Sequence, residues 1–123
     1  MDFNFKEIHE TIRISKGKIK IGVMVSSGMD GKYHIIISPT LSVSGYGKTE
    51  KEAIESFEHN MSVFCDDIMS LNQEKLNIYL HKLGFHKERY RAKNFRNSYN
   101  DKNNLIGNLE PATRKTQFLE AAY

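Results

Sequence analysis

Apolar side chains occupy every second position between residues 18 and 25, with Ile19, Ile21, Val23 and Val25 on one side and Lys18, Lys20, Gly22 and Met24 on the other. Successive side chains of a strand point to opposite faces, so this period predicts a half-buried strand. Residues 26–31 are small or polar and end in Asp30-Gly31, a pair suited to a hairpin turn. Two further strands are predicted at 33–38 and 41–46, and a three-stranded antiparallel meander is the simplest arrangement. Before them, residues 1–15 fit two periods. Phe5, Ile8 and Ile12 suit a helix, whereas residues 11–15 alternate like a strand.

The period changes after Thr49. Ile54, Phe57, Met61, Phe64, Ile68 and Leu71 recur at steps of three and four, flanked by Ala53 and Cys65. That seam predicts one long amphipathic helix lying across a face of the sheet. A second, shorter helix is predicted over 73–83, with Leu76, Tyr79, Leu80 and Leu83 inward. Gly84 stands at its C-cap and Phe85 supplies the hydrophobic contact that accompanies such caps. Beyond Phe85 the periodicity fades. Asn94, Asn97, Asn100, Asn103, Asn104 and Asn108 punctuate a polar stretch that reads as loop or linker. Residues 111–123 read as a final helix with Pro111 in its first turn and Phe118, Leu119 and Ala122 on one side.

The junction at 47–53 is the most specific local signal. Gly47 allows a sharp exit from the strand, Thr49 is a good N-cap, and Glu52 three residues later completes a capping box. Glu50, Glu52 and Glu55 place negative charge against the positive end of the helix dipole. An apolar strand ending in Pro39, a second strand, and then Gly47, Thr49, Glu52 and Ala53 opening a helix resemble the HicB-like antitoxin domain of toxin–antitoxin pairs. The resemblance spans about residues 18–70. One departure is Thr40-Leu41-Ser42, where the family often carries a Pro-Gly pair. The resemblance implies a partial ribonuclease H-like fold, no catalysis, self-association, and a small basic HicA-type RNA-cleaving toxin as partner. Glu50, Glu52 and Glu55 are then candidate partner-binding residues, because acidic groups suit a basic surface. Family antitoxins commonly add a ribbon-helix-helix or helix-turn-helix segment, and neither is recognisable in residues 85–123.

Charge separates the chain into two parts. Residues 1–80 hold nine Lys and Arg against eleven Asp and Glu, and residues 81–123 hold nine against four. The division predicts an α+β domain over 1–84 with a basic, Asn-rich extension over 85–123. Lys87, Arg89, Tyr90, Arg91, Lys93 and Arg96 interleave cations with aromatics, a pattern suited to phosphate contact and base stacking. The same pattern also fits a solvated connector whose Tyr90 and Phe95 pack back onto the body. A stand-alone nucleic-acid-binding module using residues 82–96 is therefore the alternative function.

Other chemistries lack their residues. Two-metal hydrolysis needs carboxylates converging on the sheet, and the strands at 18–25, 33–38 and 41–46 contain none. The five histidines include no pair three or four apart, so no helical metal site is expected, and no cofactor. Cys65 cannot form an internal disulfide and sits beside the apolar seam, which suits a buried, inert thiol. Gly45-Tyr46-Gly47 lacks the remainder of a nucleotide-binding loop. If residues 3–14 were helical, the element order would match a double-stranded-RNA-binding domain. The helix start that should then be basic is acidic, at Glu50, Glu52 and Glu55. With no apolar span and no basic-then-apolar leader, a cytoplasmic location without membrane contact is expected.

Overall fold

A computed structural model describes residues 9–88, 91–98 and 109–123. It is an α+β fold. In chain order it contains β1 (His9–Ser15), β2 (Lys18–Asp30), β3 (Tyr33–Ser38), β4 (Val43–Gly47), α1 (Glu50–Met69), α2 (Gln73–Lys82), β5 (His86–Glu88), β6 (Arg91–Ser98) and β7 (Lys115–Ala122). The described strands form one antiparallel sheet in the order β4-β3-β2-β1-β6-β5, with β7 also paired to β2.

β2 organises this sheet. Its residues 18–22 pair with β1 and its residues 26–30 pair with β3, whereas β7 runs along 20–27 and overlaps both. A strand has only two edges, so β1 and β3 follow one another along one edge and β7 takes the other. Where β1 gives way to β3, the Met24 N–H donates to the Glu10 carboxylate at 3.0 Å. The Thr40 hydroxyl donates to the other oxygen of Glu10 at 2.6 Å. Glu10 is fully buried, and burial of a carboxylate is tolerable when it is hydrogen-bonded in this way.

Both predicted helices are present. Thr49 caps α1, accepting from the Glu52 N–H at 3.1 Å. Glu52 accepts from the Lys48 N–H at 2.9 Å, one residue ahead of Thr49, whose N–H is the usual capping-box donor. Ala53, Phe57, Met61, Phe64, Cys65 and Ile68 form the buried stripe of α1. All but Ala53 pack in one core with Ile12, Ile14, Ile19, Ile21, Val23 and Val25 from the sheet and Leu76 and Leu80 from α2. Ile54, expected in this seam, is 45% exposed, and Tyr79 of α2 is 39% exposed. α1 lies tightly on β4 because Gly45 and Gly47 carry no side chain. A Cβ on Gly45 would strike the Phe57 backbone, with Cα at 2.6 Å, and one on Gly47 would meet Ala53 N at 2.7 Å. The outer edge of β4 is closed by α1 side chains. Asn60 Nδ2 donates to the Ser44 carbonyl at 2.7 Å, and Ser56 Oγ accepts from the Tyr46 N–H at 3.3 Å.

α2 ends in the expected glycine cap. Gly84 has φ +98°, its N–H donates to the His81 carbonyl, and the Phe85 N–H donates to the Leu80 carbonyl, both at 2.9 Å. From there the structure departs from the sequence-based expectation. Residues 86–88 and 91–98 are β5 and β6, and 115–122 are β7. The sheet therefore has seven described strands rather than three or four, and the final helix expected over 111–123 is a strand. Phe85, Phe95 and Leu109 are buried, and β6 sets Phe95 opposite Ile12. These segments belong to the same sheet as residues 9–84 and do not hang from it as a separate extension. Ser26, Ser27, Gly28 and Met29, expected in a turn, continue β2, because β3 pairs with all four on one edge. On the other edge β7 pairs with Ser26 and Ser27, and Glu110 and Thr113 bond the backbone of Met29. The turn itself is Gly31-Lys32, with Gly31 at φ +61°. Of the ambiguous N-terminal segment, residues 9–15 are strand, while Phe5 and Ile8 lie outside the described residues.

Candidate functional site

Two surfaces on opposite faces of the sheet could hold a ligand or partner. The first is a groove on the helix side. α1 is held over β4 by the two glycines, which leaves the inner positions of β2 and β3 open beside it. Val25, Ser27 and Ile36 form the floor, Glu50, Ala53 and Ile54 one wall, and Lys115 and Gln117 of β7 the other. The groove encloses about 400 Å³. Its floor is largely apolar, its lining includes Glu50, Lys115 and His34, and the exposed Ile54 extends its apolar surface.

The second surface is the sheet face turned away from both helices. Strand alternation places Thr11 and Arg13 of β1, Lys18, Lys20 and Gly22 of β2, Arg96 of β6, and Phe118 and Glu120 of β7 on this side. Arg13, Lys18, Lys20 and Arg96 are all exposed.

The residues suggested by the sequence distribute unevenly over these surfaces. Glu50 stands at the groove rim, whereas the Glu52 carboxylate is held by the Lys48 N–H and Glu55 is exposed on α1 away from the groove lining. Of the three acids, only Glu50 lines the groove. The basic stretch also divides. Lys87 lies opposite Phe95 and His86 opposite Arg96, so Lys87 and Arg96 point to different faces. Arg91 and Lys93 belong to the β6 backbone, and Arg89 and Tyr90 lie outside the described residues. Arg13 and Lys20 escaped notice as a site because only strand pairing brings them together and near Arg96. The available signal was the cationic alternation along β2. Glu10 gave no sequence signal, since its role depends on where β1 stops beside β2.

Among the described residues, no group of three His, Cys, Asp or Glu is placed to hold a metal ion. Burial, aided by the neighbouring Asp66 charge, pushes the Cys65 thiol up to about 12. Such a thiol remains protonated near neutral pH and is a poor nucleophile. Burial and the Glu58 carboxylate raise the Tyr123 hydroxyl well above its ordinary value, and that hydroxyl donates to Glu58 at 3.1 Å. No described helix is long and apolar enough to cross a membrane. No family model matches the chain, and neither a curated protein nor a solved structure is significantly similar to it.

Proposed function

We propose that the protein is a non-catalytic HicB-like antitoxin, or a regulator derived from one, that binds and masks a small basic HicA-type toxin. The observation that carries this reading is the run from β2 through β3 and β4 into α1. In it Gly47, Thr49, Glu52 and Ala53 each have a structural task, namely close helix approach, capping, counter-capping and burial. The groove beside the start of α1 offers the partner a largely apolar floor, the exposed Ile54 and the Glu50 carboxylate. A basic partner inserting one apolar side chain would bury Ile54 and pair with Glu50, an arrangement in which charge orients the encounter and the buried contact supplies most of the affinity.

Co-expression with the product of the adjacent gene tests the proposal. The full chain is expected to co-purify with that product and to restore growth of cells that produce it. Ile54→Arg combined with Glu50→Gln should abolish both effects while leaving the circular-dichroism spectrum close to wild type, since both side chains are exposed. The stability cost is the loss of one favourable charge at the α1 N-terminus. Retention of rescue by this folded double variant would move the partner surface elsewhere. A neighbouring product that is harmless and does not bind would remove the antitoxin reading.

A further inference from the structure

The outward face of β6-β1-β2-β7 gathers cations that the sequence spreads over two distant segments. Arg13 and Lys20 stand directly opposite one another in the β1–β2 ladder, and Arg96 lies beside Thr11 on the next strand. Like charges directly opposed across a ladder repel and weaken the pairing. Glu88 relieves this only in part. Its carboxylate comes to 3.8 Å from the Arg13 guanidinium, and the Arg13 side chain remains 51% exposed. Neither helix covers the face, because both contribute their buried residues to the core on the other side.

Beside the cations lies an aromatic ring. Phe118 extends across Gly22, so near that a Cβ there would stand 2.8 Å from Phe118 Cζ. The ring nevertheless remains 41% exposed. A depression of about 310 Å³ lies beside Gly22, lined in part by Thr11, Arg13, Lys20 and the exposed Glu120. Glu120, opposite Gly22 on β7, is an acid that strand pairing sets among these cations, and phosphates would bind on the Arg13, Lys20 and Arg96 side of it. Cations in a row can take successive phosphates, and an exposed ring can take the face of an unstacked base. A duplex keeps its bases stacked inside and offers Phe118 nothing. An acidic peptide would use the charges and leave the ring idle.

We infer that this sheet face binds single-stranded nucleic acid, with Arg13, Lys20 and Arg96 on the phosphates and Phe118 stacked on a base. The site is independent of the groove beside α1 and stands whether or not the protein is an antitoxin. Only Arg96 is shared with the basic stretch that the sequence singles out.

Fluorescence anisotropy with labelled oligouridine and oligothymidine, titrated with the full chain at several salt concentrations, tests the inference. Affinity is expected to fall linearly with salt on logarithmic axes, because bound cations displace counterions. Arg13→Gln with Lys20→Gln should weaken binding and reduce the salt slope by roughly 1.4, at about 0.7 for each lost phosphate contact on a single strand. Phe118→Leu keeps Gly22 covered but removes the aromatic face, and should weaken binding roughly 5- to 150-fold without altering the slope. Phe118→Trp should bind as well as wild type and introduce the only tryptophan of the chain, whose fluorescence should be quenched on stacking. The Gln variants relieve the Arg13–Lys20 repulsion but lose the 3.8 Å Arg13–Glu88 ion pair, so their melting temperature should stay close to that of wild type. The inference is overturned if folded wild-type protein binds neither probe at low salt. It is equally overturned if duplex DNA or polyglutamate competes as well as the single strand and Phe118→Leu has no effect, which would leave a plain polyanion surface.

Discussion

β3, β4 and α1 are neighbours in the chain and in space, whereas β7 and β6, the latter carrying β5 on its outer edge, reach strands formed much earlier. Phe95 of β6 finds Ile12 of β1, and Leu119 of β7 finds Val23 of β2. The first region is specified locally, by a cap, two glycines and an apolar seam. The second has almost no local signature and is defined by the edges that β1 and β2 leave open. A segment rich in Asn, Lys and Arg becomes strand when an apolar partner and an unpaired backbone edge await it, because nearly every buried backbone group must be hydrogen-bonded. Weak local propensity is thus compatible with a full structural role.

The largest effect should come from the second region. Phe95 is 1% exposed at the β1–β6 contact, and Phe95→Ala should cost about 3–5 kcal/mol in denaturant unfolding. A single transition is expected, with residues 9–84 destabilised along with β6. Two separate transitions, with the helical body unchanged, would restore the picture of an independent extension. Truncation after Gly84 removes Phe85, Phe95 and three strands, so it should unfold the remainder rather than isolate a domain.

Gly45→Ala probes the first region. The new methyl would collide with the Phe57 backbone, which cannot move without lifting α1 from β4. The cost should approach or exceed about 3 kcal/mol, the upper end of ordinary overpacking. A variant as stable as wild type would show that α1 sits farther from β4 than described.

Alkaline unfolding compares one group from each region. Cys65 on α1 and Tyr123 beyond β7 both lose protons less readily in the folded chain than in the unfolded one. The unfolded state therefore ionises first, and stability should fall as pH rises above about 9, toward about 12 for Cys65. Each such group contributes a slope of about 1.4 kcal/mol per pH unit while only its unfolded form is ionised. Cys65→Ala should flatten the decline from pH 9 upward, and Tyr123→Phe should flatten only the part above about 10. Equal slopes in wild type and both variants would refute the assignment.

The smallest change belongs to the helix cap. Thr49→Ala should lower stability by roughly 0.5–2 kcal/mol, since one α1 N–H loses its acceptor. Thr49→Ser should restore most of the loss, a rescue readable in the same denaturant melts.

Taken by itself, the order of residues determined the elements whose signals are short in range. These are the alternation from Ile19 to Val25, the seam from Phe57 to Ile68, the Thr49 cap and the Gly84 cap, each decided by side chains within a few positions of one another. It also placed Glu50 at the start of α1, which the groove then uses. Only the tertiary structure decided that β2 continues to Asp30, that residues 115–122 are strand rather than helix, and that Glu10 is buried between β1 and β3. It also decided that Arg96 joins Arg13 and Lys20 while Lys87 turns away. The physical reason is common to all of these. A strand's hydrogen-bonding partners and the face its side chains occupy are set by register with a distant segment, and no periodicity within the strand itself can encode which segment that is.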